Sequence, residues 1–293
     1  MMKISQLEMF LAISESGSIA EAARRLGKSR TTLSSSLSAL EDELGVELLE
    51  RSGNQVTLTN IGRVIKNDCE RMVMIANDIT GRCRQHLQGV ESVLRIARDD
   101  ALPESYWRQL IHEMSVQFPG TSVSVYMAPP PELNDMVEQN MVDIAYCLLP
   151  HSNRLPSTHH VKLGEIRMMT VAKSDHPLCK LSQVVSSDLA RYTEFALATI
   201  DDEGLHAVAP ASSNYIALPF YEHLRNAVLD GTGFSNVPSV LINPYLRDGS
   251  VKVLNYDQAM KRQAYGMIQN RYSQLGGLTQ WLAEQLEDYL AED

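Results

Sequence analysis

The stretch from Ser18 to Leu44 constrains this chain more than any other. Ile19, Ala22, Ala23 and Leu26 share one helical face, Gly27 follows, and Leu33, Leu37, Leu40 and Leu44 recur at i, i+4, i+7 and i+11. The pattern reads as two helices joined by a tight turn, with Gly27 taking the left-handed conformation that ends the first. Ser18 with Glu21 fits a capping box for the first helix. Ser29 is placed to cap the second, and Gly45 stops it. Such a helix pair can lay its second helix in the major groove of DNA.

The outward face of the second helix carries Thr31, Ser34, Ser35 and Ser38, with Arg30 at its entry. Serine is a mediocre helix former, so helix stability does not explain that face. Short hydroxyls permit close approach to a base edge, and arginine can bond guanine through two donors. Arg24, Arg25, Lys28 and Arg30 cluster around the turn, and no acidic residue lies between Ala22 and Leu40. Residues 1–66 hold equal numbers of acids and bases, so the formal charge of −10 belongs to the remainder of the chain. The local field at the groove matters more than net charge.

Residues 4–66 resemble the N-terminal winged helix-turn-helix of LysR-type transcriptional regulators. The matching positions are Leu7, Phe10, Gly17-Ser18, Ala22-Ala23, Leu26, Ser29, Leu33-Ser34, Leu37, Leu40-Glu41, Leu44-Gly45, Leu48, Arg51, Leu58-Thr59 and Gly62. The family usually carries Gln-Pro where Arg30-Thr31 stand here. The resemblance implies double-stranded DNA as partner, contacted by Arg24, Arg25, Lys28, Ser29, Arg30, Thr31, Ser34, Ser35 and Ser38. It makes the segment from Glu50 to Thr59 a two-stranded wing turning at Gly53-Asn54, with Arg51 on a phosphate.

A chain of 293 residues with 44% hydrophobic and 21% charged residues reads as globular, with about two domains. Lys3, Gln6 and Glu8 interrupt any apolar leader, and no run reaches the length of a membrane span, so a cytoplasmic protein is expected. Cys69, Cys83, Cys147 and Cys179 form no Cys-x-x-Cys pair, and burial is the expected state of Cys147 and Cys179. Adjacent His159 and His160 point to opposite sides of a strand and do not suggest a shared metal. No Gly-x-Ser-x-Gly, Walker loop, Rossmann glycine run or zinc cluster occurs, which argues against an enzyme and implies neither metal nor cofactor.

From Ile61 to about Gly89 there is no proline, and apolar residues recur at spacings of three and four. This predicts one helix about 42 Å long. Its stripe includes Ile61, Ile65, Met72 and Ile79 and needs a partner. In the family that partner is the same helix of a second protomer, which implies a homodimer or homotetramer. Residues 92–293 alternate strands and helices: strand 93–97, helix 102–117, strand 123–127, helix 133–140, strand 143–146, strands 168–172, 195–199 and 207–209, helix 220–230, strands 251–255 and 265–269, helix 278–290. This is an α/β fold with parallel strands.

Phe118-Pro119-Gly120, Asp143-Ile144-Ala145, His176-Pro177-Leu178 and Gly231-Thr232-Gly233-Phe234 resemble the family's co-inducer domain. The implied fold is therefore a winged helix-turn-helix over 1–60, a linker helix over 61–89, and a two-lobed α/β domain like a periplasmic binding protein over 92–293. Its first lobe would span about 92–161 plus 267–293, its second about 162–266, joined by strands near 160–165 and 253–267. A small-molecule effector would sit between the lobes, near Asp99, Asp100, Ala101, Pro129, Asp201, Asp202, Ser212 and Ser213. Asp99, Asp100, Asp201, Asp202 and Glu203 would repel a simple dicarboxylate. Asp100 also fits as a helix cap, and prolines 129–131 stiffen their loop and remove donors. The expected function is effector-controlled, sequence-specific transcription regulation, with RNA polymerase as a further contact. The alternatives are a regulator sensing redox or pH without an organic ligand, or an enzyme or small-molecule carrier with a DNA-like appendage.

Overall fold

The computed structural model describes residues 1–52, 55–87, 89–150, 158–201, 203–271 and 276–291, with only the backbone of Arg51, Gln85 and His86. The chain divides into two compact units, Met1–Gln88 and Gly89–Asp293.

In the first unit α1 (Ile4–Ser16), α2 (Ile19–Leu26) and α3 (Arg30–Leu44) precede strands β1 (Leu49–Ser52) and β2 (Gln55–Leu58), and α4 (Asn60–Leu87) closes it. Leu7, Phe10, Ile13, Leu33, Leu37, Leu40 and Leu48 form a core from which water is excluded. Leu44 departs from the expected stripe: it is 40% exposed, because α3 ends there and its last turn projects beyond the core. Ser29 caps α3, its hydroxyl accepting from Thr32 N at 3.0 Å. Ser18 sits in extended backbone before α2 but makes no side-chain cap, and Glu21 instead pairs with Arg24. Gly27 has φ 63°, as the turn required.

The strands β1 and β2 pair antiparallel from Leu49↔Leu58 to Ser52↔Gln55. The Gly53-Asn54 turn lies outside the described residues. The Glu41 carboxylate on α3 accepts from Leu48 N at 2.8 Å and Leu49 N at 3.1 Å, bracing the strand entry. Thr59 accepts from Gly62 N at 3.0 Å and so starts α4. Gly62 lies so close to the backbone of Leu48 that a Cβ there would overlap the Leu48 carbonyl oxygen.

The second unit runs β3 (Val93–Arg98), α5 (Glu104–Gln117), β4 (Ser122–Met127), α6 (Pro130–Glu138), β5 (Ile144–Leu148), β6 (Thr158–Lys173), α7 (Ser186–Leu189), β7 (Thr193–Asp201), β8 (Gly204–Ala207), β9 (Tyr215–Leu218), α8 (Tyr221–Asp230), β10 (Gly233–Pro238), α9 (Ser239–Arg247), β11 (Val251–Val253), β12 (Met260–Asn270) and α10 (Gly277–Ala291). The strand order is β4-β3-β5-β12-β6-β10-β7-β8, with β9 on β7 and β11 on β6. Strands β3, β4 and β5 are parallel and belong to a first lobe. Strands β7, β9 and β10 are parallel and belong to a second. The long strands β6 and β12 pair antiparallel and serve both.

Three details differ from the sequence expectation. The helix after β4 begins at Pro130, not Leu133, because Pro130 and Pro131 occupy its first turn, where proline has no N–H to waste. The strand expected at 207–209 is β8, ending at Ala207 and paired antiparallel with the end of β7 as a hairpin. The structure adds helices α7 and α9 and strands β9 and β10. Strand β10 contains Gly233, Asn236 and Pro238, a poor strand composition supported here by partners on both sides.

Gly62→Ala is expected to destabilise the first unit by about 1–3 kcal/mol, because neither backbone can yield. Chemical denaturation checks this, and an unchanged midpoint would refute the close approach.

Candidate nucleic-acid interface and effector cavity

Helix α3 presents Arg30, Thr31 and Ser35 fully exposed, with Ser34 and Ser38 half-buried behind them. Two features temper the expected contacts. The Ser29 hydroxyl is committed to its cap and lies 2.8 Å from Thr32 Oγ1. The basic cluster is partly answered by nearby acids: Arg25 pairs with Glu15 of α1 at 2.7 Å, and Arg24 with Glu21 one turn back on α2. Lys28 and Arg30 make no ion pair among the described residues. The two existing pairs are exposed, and such pairs contribute roughly 0–1 kcal/mol. A phosphate can therefore replace either glutamate at small cost. The Arg51 side chain lies outside the described residues.

Along α4, Ile61, Val64, Met72, Ile75 and Ile79 are exposed and recur at helical spacing. Ile65 is different: it is half-buried and packs on the first unit's own core, beside buried Cys69.

In the second unit a cavity of about 540 Å³ opens between the lobes. Its first-lobe wall is Pro130, Pro131, Asn134, Leu148 and Pro150, and its second-lobe wall is Glu194–Leu197, Val208, Ala209, Tyr221 and Asn236. Met168, Lys261, Arg262 and Gln263 come from the long shared strands. None of the described residues among those expected from the sequence lines it. Asp99 is fully buried, accepting from Leu148 N at 2.7 Å and Ala101 N at 3.1 Å. Asp100 is buried too and accepts from Glu222 N at 2.8 Å, capping α8 of the other lobe. Ala101 is buried, and Pro129 is buried as the residue before α6. Asp201 is exposed in the β7–β8 turn, accepting from Glu203 N at 2.9 Å. Asp202 lies outside the described residues. Ser212 is buried, donating to Tyr192 O at 3.1 Å and accepting from Asn214 N at 3.2 Å, and Ser213 is exposed. Asp99 and Asp100 thus do not face an anion in the cavity: their carboxylates serve the chain's own N–H groups.

Burial pushes the Asp99 carboxyl up to about 7, against the opposing effect of its two backbone donors. Burial also raises Asp100 and Glu194. Glu194 accepts from Ser212 N at 2.7 Å while lining the cavity, a role the sequence pattern did not mark. Burial likewise pushes the thiols of Cys69, Cys147 and Cys179 up, away from the thiolate form, and the Cys179 thiol donates to Lys173 O at 3.4 Å. Among the described residues no group of His, Cys, Asp and Glu is arranged to hold a metal ion.

A model of the LysR substrate binding domain matches residues 87–291, and one of the bacterial regulatory helix-turn-helix protein, lysR family, matches residues 4–63. The chain belongs to the LysR family of transcriptional regulators. This regulator is 27% identical, over 86% of its length and 75% of the relative's, to the multiple virulence factor regulator MvfR of Pseudomonas aeruginosa. It is 24% identical to the transcriptional regulator AceR of Acinetobacter baumannii, covering 97% of this chain and 96% of that one. Its fold is similar to an OxyR mutant from Corynebacterium glutamicum, with TM-score 0.63, 20% identity and coverage of 99% and 93%. It is also similar to CbnR, a LysR family transcriptional regulator, with TM-score 0.56, 19% identity and coverage of 97% and 100%. This regulator thus combines a DNA-binding helix-turn-helix with an effector-binding domain. No helix among its described residues is long and apolar enough to cross a membrane.

The raised Asp99 carboxyl makes a pH prediction. Its folded pKa lies above its unfolded value, so the folded state binds the proton more tightly between about 4 and about 7. Its contribution to stability is greatest below that window and is lost as pH rises through about 7. Asp99→Asn is expected to flatten this part of the melting-temperature profile. It also lowers the whole curve, since an amide nitrogen cannot accept from a backbone N–H. An unchanged slope would contradict the assignment.

Proposed function

We propose that α3 reads an operator through Arg30, Thr31, Ser34, Ser35 and Ser38, while Arg24, Arg25, Lys28 and Arg51 neutralise phosphates. The observation that carries this reading is the hydroxyl-lined outer face of α3, entered by exposed Arg30, which makes no ion pair among the described residues. An effector in the second-unit cavity sets the regulator's activity, and the protein acts in the cytoplasm, with RNA polymerase as a further partner. The exposed row Ile61, Val64, Met72, Ile75 and Ile79 on α4 is the seam of a homodimer, and dimers pair into a homotetramer. Two copies of α3 then meet two half-sites, as symmetric recognition requires.

Genomic footprinting supplies the operator, and anisotropy titrations at several salt concentrations then separate the roles. Arg30→Ala is expected to lose about 1–3 kcal/mol on the operator and much less on scrambled DNA. Arg51→Ala is expected to weaken both and reduce the salt slope by about one. Equal losses on both DNAs for Arg30→Ala would rule out base reading.

Ile79→Asp is expected to give folded monomers at micromolar concentration in sedimentation velocity. Ile65→Asp, by contrast, is expected to unfold the first unit, since it places a charge against that unit's core. A full-strength dimer of the Ile79 variant would exclude the α4 row as the seam.

A further inference from the structure

We infer that the cavity between the lobes is shaped for an uncharged, mainly apolar small molecule carrying a few hydrogen-bonding groups that amide side chains can answer. The inference rests on the reading of this cavity as the effector site. A cleft between α/β lobes usually holds an anion with free backbone N–H groups at strand ends and helix N-termini. Around this cavity those donors are taken. Helix α6 enters with Pro130 and Pro131, which have no N–H, and its first-turn Glu132 accepts from Ile200 N at 3.1 Å across the cleft. The N-terminus of α8 is capped by Asp100. The N–H groups of Ala101 and Leu148 go to Asp99. Those of Ala211 and Ser212 go to Glu194, whose carboxylate faces the cavity.

The cations nearby do not reverse this. Lys261 and Arg262 are exposed at the rim, where Lys261 donates to Gln258 at 2.9 Å and Arg262 pairs with Glu165 at 3.5 Å. An anion moved inside would lose its hydration beside the acidic Glu194, with the donors at Ala101, Leu148, Ala211 and Ser212 already taken, an unfavourable exchange.

What remains for recognition is apolar wall and three amides, Asn134, Asn236 and Gln263. Phe195, Leu197, Val208, Leu148, Met168 and Pro131 supply the wall. The Asn134 oxygen accepts from Thr158 and His160, each at 3.0 Å, which leaves its NH₂ without a partner among the described residues. Gln263 donates through its own NH₂ to Leu149 O at 3.3 Å, which leaves its oxygen as an acceptor. Asn236 on the second-lobe wall offers both a donor and an acceptor, and these neutral amides in a mainly apolar chamber of about 540 Å³ match a neutral molecule of drug-like size.

The test compares two dyes with one hydrocarbon frame on the full-length protein: neutral phenylnaphthylamine and its sulfonate, anilinonaphthalene sulfonate. Fluorescence titration is expected to give affinity at least about tenfold tighter for the neutral dye, a difference of about 1.4 kcal/mol. Val208→Trp, which fills a partly exposed cavity position, is expected to weaken the neutral dye about tenfold with unchanged melting. Pro131→Trp, exposed on the opposite wall, takes its place if Val208→Trp melts early. If the sulfonate binds as tightly and is displaced by the same variant, the ligand chemistry is wrong while the cavity remains a binding site. If neither dye responds to filling the cavity, both the chemistry and the site are overturned.

Discussion

A backbone N–H left without an acceptor inside a fold costs about 1–3 kcal/mol, and this chain answers its exposed element ends with carboxylates from far away in sequence. Glu41 serves Leu48 and Leu49 at the start of the wing. Glu91 accepts from Leu278 and Thr279 at 2.9 and 3.1 Å and so caps α10. Asp99 joins the loop after β3 to the end of β5, and Asp100 reaches the start of α8. Glu194 fixes the loop containing Ser212. Where the carboxylate is ionised, such a bond is charge-assisted and stronger than its neutral counterpart. The parallel strands and their covering helices can stack only where these ends are closed.

The same requirement separates what was legible in the sequence from what was not. The first unit's helices follow rules that act over three or four residues. The spacing of Leu33, Leu37 and Leu40 marks a buried stripe, and Ser29 and Gly27 mark a cap and a stop. Residues 29 to 44 therefore declare their helix locally. The cavity follows no such rule. Asp99 and Asp100 look like candidates for a ligand site because they stand after a strand, where ligands sit in this class of fold. Their actual partners, Leu148 and Glu222, are 49 and 122 residues distant. A carboxylate that caps another element and one that faces a ligand have the same local sequence. Glu194 and Asn134 went unmarked for the converse reason: nothing in their neighbours announces that two lobes meet there.

Charge patterning shows a similar division. The interval from Ala22 to Leu40 has bases and no acids, yet Arg24 and Arg25 meet Glu21 and Glu15, which lie just outside it. Linear charge counts miss partners on the adjacent helix turn or the preceding helix. The apolar spacing of α4 misleads in a related way, because a helix has two sides. Ile65 and Cys69 turn toward the first unit's core, while Ile61, Val64, Met72, Ile75 and Ile79 face outward. One continuous apolar pattern thus serves folding and exposes a second surface.

The cavity's two walls also determine what a ligand can accomplish there. A ligand shifts a conformational equilibrium only by binding one state more tightly than the other. Here the lobes are already tied at two points, Asp100 to α8 and Glu132 to Ile200. Of these, the first is buried, whereas Ile200 is 62% exposed at the end of a hairpin strand. The exposed bond is the weaker, since water competes for both of its groups. A ligand resting on Pro130 and Pro131 on one side and on Leu197 and Val208 on the other touches the elements that carry this weaker tie.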